Sequence, residues 1–214
     1  MNTSLKYSVA LALGGLITTP VLAQSIDNKS AFKDSPWSIT ASLGMAHFDS
    51  MEGLHGQTAL ARLAFGYALT HHVGLETGIQ NGNQMRLQVP KKTIDVLGGV
   101  PVVGTAKPLL DALITVKTPP LSSTIPLFVE AKGGVAYRQL QMDRETMNDR
   151  SQFAPELQAG LGYTVREHLN VNLMVQYVRG KNPDVAVDAS TERGWIANIP
   201  TQKAILLGLT LKLE

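Results

Sequence analysis

Eight charged side chains stand in segments whose other residues are mostly apolar, small or neutral polar. They comprise four cations and four anions: Arg62, Glu76, Asp111, Glu130, Lys132, Arg138, Glu156 and Lys212. A buried charge is costly unless it is paired, so a set that sums to zero suits a confined interior. Lys132 and Glu156 fall on segments expected to be neighbours, and we expect a direct ion pair between them. The set predicts ion-pairing chemistry, either inside a filled core or along a narrow pore.

Histidine and acidic side chains are the candidate metal ligands. His71, His72 and His168 lie at two short connections, but adjacent histidines on an extended segment point apart, and metal sites need three or four convergent ligands. Three further acids share one long connection: Asp143, Glu145 and Asp149. They lack the glycine and the spacing of a calcium-binding loop. We therefore expect solvated turns and a charged, hydrated loop, with no metal and no cofactor.

The residues that could support catalysis do not converge either. The segment 99–107 is glycine-rich, but its lysine does not directly follow the second glycine, as a phosphate-binding loop requires. The chain has no cysteine, which excludes a thiolate nucleophile. A hydrolase would need serine, histidine and an acid in reach of one another. His47 alone lies near an outward position, and its strand puts the serines on the opposite face. The sequence predicts a protein that is not an enzyme.

The elements that carry these residues are strands with a period of two. Apolar residues alternate with small or polar ones over eight segments: 37–48, 59–70, 73–80, 109–116, 127–137, 153–163, 169–177 and 204–213. Such alternation is typical of strands with one apolar face. Most of the segments have about nine residues or more, enough to cross a bilayer at the tilt of a barrel.

The connections alternate in length. Those at 70–72, 117–124 and 165–168 are short, and those at 50–57, 81–108, 141–152 and 180–201 are longer. Short turns at one end and long loops at the other are typical of outer-membrane barrels. Tyr67, Tyr163 and Tyr177 lie near strand ends on apolar faces, where an interfacial girdle would place them. We predict an all-β fold, an eight-stranded antiparallel up-and-down transmembrane β-barrel over residues 37–214.

A soluble periplasmic ligand-binding barrel is the structural alternative. Its outward face would carry many lysines and glutamates, whereas the polar face here is mostly glycine, alanine, serine and glutamine. Ligand pockets also need a bulky apolar lining, which that face lacks. Overall composition agrees with a folded chain, since 44% of the residues are hydrophobic and 17% are charged. A net charge of +2 gives no general attraction to nucleic acid.

The N-terminus has the pattern of a secretory signal. A lysine precedes an apolar stretch from Val9 to Leu22, and Ala23 supplies the small residue at the cleavage site. We predict that residues 1–23 are a cleaved signal peptide and that residues 24–36 form an N-terminal periplasmic extension. The mature chain would then leave the cytoplasm for the cell outer membrane.

Taken together, the chain resembles the small eight-stranded outer-membrane barrels typified by the OmpA transmembrane domain. The resemblance rests on the signal, the repeated strands, and the segment 159–163 followed by a tight turn and the segment 169–173. It implies insertion by the barrel assembly machinery and contact with outer-membrane lipid and lipopolysaccharide. Two features depart from the family. We expect no peptidoglycan-binding domain after the barrel, and the last strand ends Leu213-Glu214 where the family usually has an aromatic residue.

The long loops are the expected carriers of function. They and their flanks combine cations with apolar residues: Arg86, Lys91, Lys92, Lys107, Arg179, Lys181 and Arg193 with Val96, Leu97, Val102, Val103, Trp195 and Ile196. The cations could bind lipopolysaccharide phosphates through charge-assisted hydrogen bonds. Eight strands enclose only enough space for side chains. We therefore expect a monomeric barrel with a filled lumen and a structural or surface-interaction role. A small porin-like channel is the alternative.

Overall fold

The computed structural model describes residues 35–49, 57–82, 84–86, 103–122, 124–143, 147–182, 185–188 and 193–213. The predicted signal peptide, and residues 24–34 of the predicted periplasmic extension, lie outside the described residues. Within the described ranges the chain forms twelve β-strands. No helix in this part of the chain is long and apolar enough to cross a membrane.

Eight strands form the wall of a barrel. They are β1 (Trp37–Phe48), β2 (Gln57–Ala68), β3 (Val73–Gln80), β6 (Leu109–Lys117), β7 (Leu127–Met142), β8 (Arg150–Arg166), β9 (Leu169–Val178) and β12 (Gln202–Lys212). Four short strands lie in the long connections: β4 (Gln84–Arg86), β5 (Val103–Ala106), β10 (Val185–Asp188) and β11 (Arg193–Ile196). The prediction of eight barrel strands is confirmed, although β7 and β8 are several residues longer than predicted.

The barrel closes between its first and last strands. Each wall strand pairs antiparallel with its sequence neighbour in the wall. β1 pairs with β12 from Ser38↔Lys212 to Phe48↔Gln202. The up-and-down meander therefore ends without a free edge, which is the arrangement that a hydrocarbon environment requires.

The long connections continue the barrel as β-ribbons. The β3–β6 pairing ends at Gln80↔Leu109, and β4 and β5 continue in the same register at Gln84↔Thr105. β5 also pairs with the upper part of β7. β10 and β11 form a second ribbon, and a bridge between Met147 and Gly194 joins it to the third long connection.

The two faces of the wall follow the period of two. Large apolar side chains point outward and are exposed, including Leu43 at 69% and Phe153 at 72%. Aromatic pairs flank this apolar belt. Trp37 stacks edge-on against Tyr67 near the short turns with ring centres 4.8 Å apart, and Tyr137 packs on Phe153 near the long loops at 5.0 Å. Tyr163 and Tyr177 also lie on the outward face, at the ends predicted for a girdle.

The interior is polar over most of its height and apolar at the end of the long loops. An apolar cluster reaches from that end down the wall to Met174 and Leu206, and it contains Ala46, Phe48, Leu60, Leu140, Met142, Met147, Met174, Ile196, Ile199, Ala204 and Leu206. Several members come from the third and fourth long connections rather than from the wall. The loops therefore fold inward and cap the barrel, so that the polar interior lies beneath the cap.

Candidate functional site: the charged lumen

Arg62 is the centre of the charged lumen. Its Nε and Nη2 atoms donate to the two carboxylate oxygens of Asp111 at 2.8 and 2.6 Å. Its Nη1 lies 2.9 Å from Oε1 of Glu76. The two-point contact matches the planar fork of a guanidinium to a carboxylate, the strongest geometry for such a pair. One arginine thus links three strands, β2, β3 and β6.

Lys132 extends the network toward the short-turn end. Its Nζ donates to Oε2 of Glu76 at 2.7 Å and lies 3.6 Å from Glu130. Lys117 then approaches Glu130 at 3.4 Å. The result is one continuous chain of alternating charge: Asp111, Arg62, Glu76, Lys132, Glu130 and Lys117. Because the side chains are almost completely enclosed except that of Lys117, solvent screens these pairs little.

The expected ion pair between Lys132 and Glu156 is wrong. In the β7–β8 register Lys132 lies opposite Gln158, and Glu156 lies opposite Gly134. Lys132 instead reaches past β6 to Glu76. In a narrow barrel the inward side chains converge on the axis, so a long lysine contacts a carboxylate on a more distant strand as easily as on the next one.

Glu156 belongs to a hydrogen-bonded group of glutamines rather than to the chain of ion pairs. We call this group, which comprises Gln80, Gln158, Gln176 and Gln202, the glutamine ring. Its Oε1 accepts hydrogen bonds from Nε2 of Gln158 and of Gln176, both at 2.7 Å. Gln176 also donates to Gln80 at 3.1 Å and accepts from Gln202 at 3.0 Å. These glutamines were not among the predicted site residues. Their inward positions in the two-residue period are the signal that identifies them.

Arg138 lies above this ring and takes carbonyl partners. Its Nη1 donates to the carbonyl oxygen of Pro200 at 2.7 Å, and its Nη2 donates to that of Arg179 at 2.9 Å. Arg179 and Pro200 flank the fourth long connection. Arg138 is 4% exposed, and it forms no ion pair with a carboxylate of the described residues. It therefore anchors the base of this loop rather than joining the Arg62 network.

Lys212 does not take part in the network. It lies at the end of β12 next to the short turns, and it is exposed. Lys117 supplies the fourth cation of the lumen in its place. Lys117 was not predicted as a lumen residue because the predicted strand ends at residue 116, whereas β6 continues through Lys117 and turns this side chain inward.

Neutral polar residues fill the lumen below the charges. The hydroxyls of Thr40 and Thr210 are 2.8 Å apart, and Nδ2 of Asn172 donates to Thr210 at 2.7 Å. Phe128, which is buried, approaches Gly162 so closely that a β-carbon there would overlap its ring. Hydroxyl and amide groups therefore lie at the short-turn end of the lumen, the charges and the glutamines lie above them, and the loops close its upper end with apolar residues.

The remaining candidates lie away from this interior. His71 and His72 are in the turn between β2 and β3, His168 is in the turn between β8 and β9, and His47 faces outward. Asp149 accepts a hydrogen bond from the backbone of Met142, and Asp143 accepts one from Thr105. Glu145 and residues 99–102 of the segment 99–107 lie outside the described residues.

The loop residues singled out from the sequence fall into three groups: exposed, buried and outside the described part. Lys107, Arg179, Lys181 and Arg193 are exposed, as is Trp195. Ile196, expected on the loop surface, is instead buried at 1% exposure in the apolar cap. The alternation of β11 turns it inward while Trp195 faces out. The other loop residues singled out from the sequence, apart from Val103, have side chains outside the described part: Arg86, Lys91, Lys92, Val96, Leu97 and Val102.

Comparison with known proteins supports the fold. No protein-family model matches the sequence, and no curated protein matches it. Among solved structures, the chain is similar to Neisserial surface protein A, with a TM-score of 0.55, 11% identity, 84% of this chain covered and 98% of the other. It is also similar to the outer membrane protein OprG from Pseudomonas aeruginosa, with a TM-score of 0.59, 13% identity and coverage of 84% and 98%. The chain therefore has the fold of the small eight-stranded outer-membrane β-barrels.

Proposed function

We propose that the chain is an integral protein of the cell outer membrane, with a structural or surface-interaction role carried by its long loops. The observation that carries this proposal is the outward face of the wall. Its apolar side chains are exposed around the barrel, and aromatic residues flank them at both ends. A water-soluble barrel would bury this surface, whereas a bilayer solvates it. The same face argues against a soluble ligand-binding barrel.

The filled lumen favours a scaffold over a channel. The charges of the Arg62 network are paired with one another, the glutamine ring crosses the axis above them, and an apolar cap lies above both. An ion crossing this interior would have to break paired contacts that are shielded from water, which is costly. A narrow conducting state would need these pairs to rearrange, and it remains the alternative function.

The loop end supplies the surface for interaction. Lys107, Arg179, Lys181 and Arg193 are exposed there, together with Trp195. Such cations suit the phosphate groups of lipopolysaccharide. The partners in this proposal are outer-membrane lipid, lipopolysaccharide and the barrel assembly machinery, and the protein acts as a monomer without catalytic activity.

Two measurements test this role. In fractionated cells the protein should be in the outer membrane and should migrate differently on gels before and after boiling, because a closed barrel stays folded in detergent until heated. The refolded protein should then give no steps of ion conductance in planar bilayers. Recovery in the soluble periplasm would contradict the membrane assignment, and reproducible conductance steps would favour the channel.

A further inference from the structure

A small cavity lies between the glutamine ring and the apolar cap, beside Arg138. Its volume is about 30 Å³. Inside the barrel it is lined by Arg138, Gln80, Gln202, Phe48 and Leu60, among others. A cavity needs only about 10–15 Å³ to hold one water-sized particle. It therefore has room for a single small ion, but not for a sugar or a nucleotide.

The charged residues that line the cavity are positive. Its two charged side chains, among the described residues that line it, are both cations, Arg138 and Lys107. The other polar lining residues are neutral amides and a hydroxyl. An anion placed here would meet the buried charge of Arg138 in a region of low dielectric constant, where such attraction is strong, with the exposed Lys107 at the edge of the cavity.

Arg138 lacks the direct carboxylate contacts that the other buried cations have. Arg62 and Lys132 each contact two carboxylates. Arg138 has only carbonyl partners, and its Nε is buried without a hydrogen-bond partner in the described part of the chain. Carbonyl dipoles offset only part of the cost of removing a full charge from water. A small anion in the cavity would therefore give Arg138 the direct contact with a negative charge that it lacks.

The cavity also has an entrance. Asn81, Lys107 and Gln139 line it and are exposed, at the point where the wall strands β3 and β6 give way to the ribbon of β4 and β5. Lys107 thus lies where an anion would enter from the long-loop side. This geometry separates the site from the Arg62 network, whose carboxylates lie deeper in the lumen.

We propose that this cavity binds one small monovalent inorganic anion of the halide class, held by Arg138, with Lys107 at the entrance attracting it. The site is independent of the membrane role, since it requires only the folded barrel. The bound anion would connect β7 and the base of the fourth loop, which Arg138 contacts, to the β5–β6 junction at Lys107. It would thereby stabilise the capped end of the barrel.

The first test uses the unaltered protein. Crystals of the refolded barrel are soaked in sodium bromide, and the anomalous signal of bromide locates the ion. The proposal expects a peak in the cavity beside Arg138. A cavity that holds only water, or bromide bound solely elsewhere, would overturn it.

The second test measures stability in solution. Urea unfolding of the barrel in detergent is compared in sodium chloride and in sodium gluconate at equal ionic strength, because gluconate is too large for the cavity. Chloride should raise the folding equilibrium constant saturably, about elevenfold at ten times its Kd. Lys107→Met should weaken this response, while Lys203→Met should leave it unchanged, since Lys203 is an exposed lysine paired with Asp49. Equal stability in the two salts, or equal responses of the two variants, would contradict the proposal.

Discussion

Arg62 on β2 and Asp111 on β6 form a two-point ion pair. The pair lies directly above Gly78, which belongs to β3, the strand between them. Asp111 lies opposite Gly78 in the β3–β6 register. A β-carbon at position 78 would lie 2.6 Å from Nη2 of Arg62 and 2.9 Å from Oδ1 of Asp111. The pair can cross β3 because this position has no side chain. The central contact of the lumen thus depends on a residue that carries no charge.

Gly78→Ala should destabilise the barrel by about 1–3 kcal/mol, the usual cost of overpacking a filled interior. The added methyl group must displace a guanidinium and a carboxylate that other contacts hold in place. Urea unfolding in detergent or lipid measures the effect. Gly133→Ala is the matched control, because its β-carbon would make an ordinary 3.4 Å contact with Leu157. Equal losses in the two variants would contradict the crossing geometry.

Arg62→Met and Asp111→Asn should each be strongly destabilising, by about 3–5 kcal/mol, because each removes one charge of a buried two-point ion pair and deprives the other of this contact. The double variant should lose less than the sum of the two, and the difference gives the coupling energy of the pair. Unfolding free energies of the four proteins provide the cycle. Strictly additive losses would show that the two side chains do not interact.

Lys132→Met should couple to Glu76→Gln and not to Glu156→Gln. Lys132 contacts Glu76 at 2.7 Å, whereas Glu156 is bound by the amides of Gln158 and Gln176. Two double-mutant cycles that share the lysine variant compare the pairs under one set of conditions. A larger coupling energy with Glu156 than with Glu76 would overturn the observed pairing.

Leu173→Arg should destabilise the barrel in lipid by about 2–4 kcal/mol, the cost of a cation near the midplane of a barrel wall. Leu173 faces outward and is 53% exposed. Leu121→Arg is the control, since Leu121 is exposed in a short turn outside the wall. Folding titrations in phospholipid vesicles compare the two. A wall variant as stable as the turn variant would mean that this face does not contact hydrocarbon.

The sequence is sufficient to predict the wall and its two faces. The two-residue period of a strand assigns each side chain to one face, which is why the alternation alone places Leu173 and Asn172 on opposite faces. Strand ends are harder to predict from the pattern, because β7 and β8 run past the last clear alternation into the long loops. For the same reason, Lys117, which lies one residue beyond the predicted strand, was not predicted to face the lumen.

The partners of the charges could not be predicted. A period defines a face but not the stagger between strands, and that stagger decides which inward residues share a level. Lys132 and Glu156 lie on adjacent strands, yet the closed barrel brings Lys132 to Glu76. The folding of the loops could not be predicted either, because the burial of Ile196 depends on the ribbon of β10 and β11 packing back onto the long-loop end of the barrel.

Single-cysteine labelling on intact cells tests the central claim, an outer-membrane barrel with its long loops outside. The chain has no cysteine, so Lys181→Cys in the fourth loop and Glu167→Cys in a short turn each provide one thiol at an exposed position. A membrane-impermeant maleimide should label the loop variant on intact cells and the turn variant only after the outer membrane is permeabilised. Labelling of both on intact cells, or of the turn variant alone, would contradict the account.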